Sequence, residues 1–137
     1  MWPFSERKRE MEKRFYLGLV ILLVLLGLGI GASAGIKAIH APVENLLSRA
    51  ADLAMEENLK EALPLAHKAY ARWIKYHSIT ASLADHSPMD DTNTLFQEML
   101  VYGQMEEIPH FAACCRELVV MVEAMYDAHA FSAKNLL

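Results

Sequence analysis

The 137-residue chain is poor in cysteine, in glycine outside one stretch, and in dense basic runs, and each shortage excludes something. Its two cysteines are adjacent, Cys114 and Cys115. On a helix such neighbours diverge by about 100°, so they do not pair with each other without backbone distortion, and an intrachain disulfide is not expected. Four of the six glycines fall between residues 27 and 35, and the other two are Gly18 and Gly103. Glycine-rich phosphate loops and exposed serine elbows are therefore not expected. No Asn-Gly or Asp-Gly turn and no alternating apolar run marks a hairpin, which argues against a sheet. There is no H-E-x-x-H pair.

What is present is one long apolar run. No charged residue occurs from Phe15 to Ile36. At about 1.5 Å per residue this stretch is roughly 33 Å long, close to the hydrocarbon thickness of a bilayer. Ahead of it stand Arg7, Lys8, Arg9, Lys13 and Arg14 against Glu6, Glu10 and Glu12. Basic residues next to an apolar span set its orientation, so residues 1–14 are expected to form a cytoplasmic head. Residues 15–36 then form a transmembrane signal anchor, and residues 37–137 an extracytoplasmic domain. From Lys37 onward the chain has eight Lys and Arg against 14 Asp and Glu. An acidic domain of this kind does not suit nucleic acid, whose binding depends on clustered cations.

Two further readings attach to the apolar run. Ala32-Ser33-Ala34 has the A-x-A form of a signal-peptidase site, with cleavage leaving Gly35 first. The length of the run and the bulky charged head favour a retained anchor instead. In a retained helix Gly27, Gly31 and Gly35 share one face, and small residues let membrane helices approach closely. That face is the candidate for a homodimer through the transmembrane helix.

Beyond the anchor the apolar spacing is helical throughout. Pro42 suits the first position of a helix over 42–56, with Val43, Leu46, Leu47, Ala50, Leu53 and Ala54 on its inner side. Asn58 and Glu61 form a capping box opening a second helix, 59 to about 83, which carries Ala62, Ala66, Tyr70, Trp73, Ile74 and His77. Pro64 predicts a kink or a delayed start there. Ser87 and Pro88 cap a third helix, 88–103, with Asp90 and Asp91 at its positive end and Gly103 closing it. The last helix is expected from near Met105 to about His129, with a stripe from Ile108 to Tyr126. The fold class is all-α: one transmembrane helix followed by four helices, as two hairpins or an up-down bundle. "NLKEALPLA" at 58–66 and "QMEEIPHFA" at 104–112 share a pattern about 46 residues apart and open the second helix of each pair.

Candidate chemistry is sparse. Cys115 lies on the apolar stripe and reads as a buried hydrophobe, with Cys114 the more exposed of the two. His110 and Cys114, at i and i+4, could place two metal ligands on one face, but a zinc site needs three or four and no others complete a motif. No metal or cofactor is expected. Asp85, His86, Asp90 and Asp91 cluster at the break between helices, where a carboxylate could tune a histidine, although capping explains the same residues. Tyr70, Trp73 and Tyr76 could line a peptide-binding groove or could be core.

The basic head, one apolar helix, Trp73 in a long helix, an H-x-x-x-D turn from His86 to Asp90, and a closing S-x-x-N-L from Ser132 to Leu136 together resemble domain-of-unknown-function family 4363. Its members are small single-pass proteins of largely clostridial, Gram-positive bacteria. The resemblance implies a membrane-tethered extracytoplasmic helical domain and supplies no catalytic residues. The expected function is non-enzymatic: interaction with an envelope or membrane protein, with the lipid bilayer as the other partner. The alternative is a ligand-sensing or metal-binding bundle that uses His86, Asp90, His110 or Cys114.

Overall fold

A computed structural model describes residues 4–80 and 87–135. It contains four helices and, among the described residues, no strand: α1 Phe4–Met55, α2 Leu59–Thr80, α3 Ser87–Gln104 and α4 Ile108–Asn135. The all-α class expected from periodicity is therefore correct. The main departure lies in α1. The apolar segment and the first bundle helix are one uninterrupted helix of 52 residues, roughly 78 Å long.

Pro42 consequently sits inside a helix instead of opening one. It gives up one backbone hydrogen bond and crowds the preceding turn, a cost of about 3 kcal/mol. Just around it the burial begins: His40, Val43, Leu47, Ala50, Ala51 and Ala54 are all buried. Packing on the bundle side and the intact backbone ladder of an apolar run on the other hold the helix straight through. The boundaries proposed at residues 14, 36 and 42 are not breaks in secondary structure.

The two hairpin turns are built alike. Glu57 has a φ of 61° and Glu106 a φ of 59°, both left-handed. In the first turn the Asn58 N–H donates to the Leu53 carbonyl (2.8 Å) and that of Glu57 to Ala54 (3.0 Å). In the second, Glu107 donates to Tyr102 (2.9 Å) and Glu106 to Gly103 (3.2 Å). Both pairs of bonds are the Schellman pattern of helix termination. Asn58 also caps α2, its side-chain oxygen accepting the Glu61 N–H at 3.4 Å, as the capping box predicts. α2 starts without delay despite Pro64.

Gly103 does not close α3. It is a buried position inside the helix, and a Cβ there would lie 2.4 Å from a Leu63 methyl and 3.1 Å from the Phe111 ring. The glycine admits its neighbours, and Glu106 makes the turn. Met105, expected to open α4, lies in that turn.

The left-handed glutamates are 49 residues apart, and burial repeats at the same offset. Val43 matches Thr92, Leu47 matches Phe96, Ala50 matches Met99, Ala66 matches Cys115 and Trp73 matches Val122, all buried. The repeat is thus 49 residues and spans both hairpins, in place of the 46 suggested by the sequence segments. The hairpins close into a bundle in which α1 packs on α2 and α4, and α3 on α4. α2 and α3 meet less closely than these pairs. Alanines and Cys115 let α1 and α4 approach, while Tyr70, Trp73 and Phe96 span the α2–α3 side.

Candidate functional site

The part of the bundle core richest in polar groups lies at the end where α1 enters. His40 is 2 % exposed there, and its ring meets Tyr76 edge-on at 4.7 Å and Tyr126 at 6.3 Å. Its Nδ1 is 3.3 Å from the Val122 carbonyl oxygen. A carbonyl only accepts, so Nδ1 carries the proton and donates. The helical spacing of α1 puts this histidine on the inward face one turn ahead of Val43 and Glu44. Its membership of the Val43–Leu47 stripe, three and seven residues on, was the available signal.

Trp73 stacks on Phe96 at 5.8 Å and 25°, and lies 5.8 Å from Tyr76. Trp73 and Tyr76 are 1 % and 6 % exposed. Burial pushes the Tyr76 phenol above its ordinary value. These two are core residues and do not line an open groove. Of the three aromatics considered for binding, only Tyr70 keeps part of its side chain at the surface. Ile74, placed on the inner stripe by spacing, is exposed, and Ala69 takes the inward position. The Trp73 indole N–H and the Asn93 side-chain oxygen are buried and have no hydrogen-bond partner among the described residues. Thr92, next to Asn93 in sequence, is wholly buried.

A charged seam borders this end between α1 and α4. The Glu44 carboxyl is held above the usual carboxylate range by partial burial, then by the nearby Glu123 and Asp127, with Lys37 opposing. Farther along the same seam Arg116 pairs with Asp52.

The remaining candidates are not brought together. Asp90 is exposed near the start of α3, where its backbone carbonyl accepts the Thr94 hydroxyl at 3.0 Å. His110 is at the opposite end, stacked on Tyr102 at 5.0 Å and 3.4 Å from the Glu107 carboxylate. His86 lies outside the described residues. Cys114 is 7 % exposed against 0 % for Cys115, so it is the more exposed of the two, as expected, yet it is buried. Its pKa is raised by burial and then by Glu98 and Glu117. The Cys115 thiol, wholly buried, donates to the Met99 thioether at 3.4 Å and is pushed up to about 12, chiefly by burial. Burial of both thiols disfavours the thiolate, the more nucleophilic form. Among the described residues no three His, Cys, Asp or Glu converge to hold a metal.

Gly31-Ala32-Ser33-Ala34-Gly35 spells G-x-S-x-G. The nucleophile elbow needs a sharp strand-to-helix turn, and here the five residues lie within α1, so the match has no catalytic geometry. A Cβ added at Gly27, Gly31 or Gly35 would meet nothing within 4 Å, so their side of α1 is open within this chain. The segment from Glu6 to Gly31 is long and apolar enough to cross a membrane, and none of it is buried. The chain matches no protein-family model, no curated protein and no solved structure.

Proposed function

We propose that the chain is a single-pass membrane protein whose bundle is displayed outside the cytoplasm and binds another envelope or membrane protein without catalysing a reaction. The supporting observation is the continuity of α1. One helix carries an exposed apolar segment and, without a break, the inner stripe of the bundle. Such a helix holds the domain at a fixed distance from the bilayer. The basic residues before the apolar segment supply the orientation, N-terminus inside. The polarity of the domain surface suits water, and its Lys and Arg are too few and scattered for nucleic acid. The resemblance to family 4363 agrees with this reading and forms part of the proposal. Its test is topological. In intact cells a tag after Leu137 should be open to added protease and a tag before Met1 protected, and the reverse pattern would refute the orientation. A photo-crosslinker at Tyr70 should then join the bundle to one defined membrane protein, whereas one at Trp73 should not.

A second reading, a ligand-sensing bundle, draws on the polar core end. His40, Thr92, the Trp73 N–H and the Asn93 carbonyl are polar groups in an otherwise apolar interior. A small polar ligand bound there would raise the melting temperature of purified protein, and the gain would vanish in His40→Phe.

A further inference from the structure

We propose that the basic turns of α1 ahead of the apolar segment form a ring that docks the phosphate groups of anionic phospholipids in the surrounding leaflet. This rests on the reading of α1 as a membrane helix. Arg7, Lys8, Arg9, Lys13 and Arg14 are all exposed. Among the described residues only Lys13 has a carboxylate partner, Glu10 at 3.3 Å, and both are largely solvent-facing. The other four cations have no carboxylate partner among the described residues, whereas the rest of the protein is acidic.

Their placement favours lipid over a protein partner. At about 100° per residue the five cations are spread around the helix and do not share one face, so an encircling shell of lipid can meet them all. Height fits as well. Phe15 and Tyr16 mark the start of the apolar segment, with rings 6.2 Å apart. Arg14 and Lys13 therefore lie at headgroup level, and Arg7 roughly 10 Å farther out, within about one Debye length. Long basic side chains can reach back toward the phosphates, whereas the shorter Glu6, Glu10 and Glu12 stay near the backbone. Lys8, Met11, Glu12, Phe15 and Tyr16 also line a shallow notch along the helix. Its lining joins apolar and aromatic groups to one cation, Lys8, and one carboxylate, Glu12, so a phosphate joined to a glycerol and acyl chain would be held by Lys8 against the opposing charge of Glu12.

The test uses the full chain in micelles containing equal phosphatidylglycerol and phosphatidylcholine, with retained lipid counted by native mass spectrometry. In micelles the orientation of the chain plays no part. Wild type should keep phosphatidylglycerol at least about fivefold over phosphatidylcholine, the preference one basic residue near an anionic surface confers. Replacing the five head cations with Gln should abolish the preference, and Lys60→Gln with Lys68→Gln and Arg72→Gln in the bundle should leave it intact. Equal retention by wild type, a preference that survives in the head variant, or one lost in the bundle variant would each overturn the proposal. Extraction of the chain from membranes without detergent would instead overturn the membrane reading itself, and this inference with it.

Discussion

Replacing Trp73 with Ala removes the largest side chain of the core. The indole is 1 % exposed and stacked on Phe96. A buried aromatic of about 200 Å² at roughly 25 cal/mol per Å² amounts to about 5 kcal/mol. Truncations of this kind cost about 3–5 kcal/mol once the cavity is included. One term acts the other way: the wild-type indole N–H has no partner among the described residues, so its removal recovers part of the burial cost of a lone donor. A net loss of about 3 kcal/mol is expected, against a total stability of about 5–15 kcal/mol for a domain of this size. At roughly 4–8 °C per kcal/mol the melting temperature should fall by roughly 12–24 °C. Trp73→Phe keeps a ring against Phe96 and removes the lone donor, so it should lose less than half as much. The assay is thermal unfolding of the full chain in mild detergent, followed by near-ultraviolet circular dichroism. A Trp73→Ala midpoint within about 3 °C of wild type would refute the packing argument and return Trp73 to the surface, where it could bind a partner.

Three further outcomes follow from individual residues. Glu106→Gly relieves a left-handed backbone at a non-glycine residue and should raise stability by about 0.5–1 kcal/mol, measured by urea unfolding, with Glu57→Gly behaving alike. Gly103→Val drives a branched side chain into Leu63 and Phe111 and should cost about 1–3 kcal/mol in the same assay; an unchanged midpoint would show that this contact is loose. Glu44 has a folded-state pKa raised above its usual 4.5, so its contribution is fully present below that value and lost as pH rises through the raised one. The stability of Glu44→Gln relative to wild type should therefore increase from pH 4 to pH 7, and a difference independent of pH would contradict the partial burial of Glu44 and its crowding by Glu123 and Asp127.

How much of this was legible in the residues differs from element to element. The inner stripes of α3 and α4 follow the 3.6-residue period closely, and Met89, Phe96, Met99, Phe111, Cys115, Leu118 and Val122 are buried as spacing predicts. The Asn58 cap was readable because the capping box is local chemistry. The ends at Pro42 and Gly103 were misread because proline and glycine mark helix boundaries only when tertiary packing does not outweigh them. Pro42 is carried by burial on its bundle side, and Gly103 is kept small by the Leu63 methyl and the Phe111 ring. Glu57 and Glu106 have no propensity for left-handed backbone, so residue type does not show which residue makes each turn, although the Asn58 cap places the first one between residues 56 and 59. Aromatic spacing alone could not separate core from groove at Trp73 and Tyr76, since a ring at a helical interval serves either purpose. Similarly, His40 was hard to single out because its role depends on Val122, 82 residues away.

The most direct measurement is the intact mass of the protein recovered from membranes washed with alkaline carbonate. If α1 is a retained anchor continuous with the bundle, the carbonate-resistant pellet holds the uncut chain of 137 residues. A mature chain that begins at Gly35, or an uncut chain found in the wash, would contradict it.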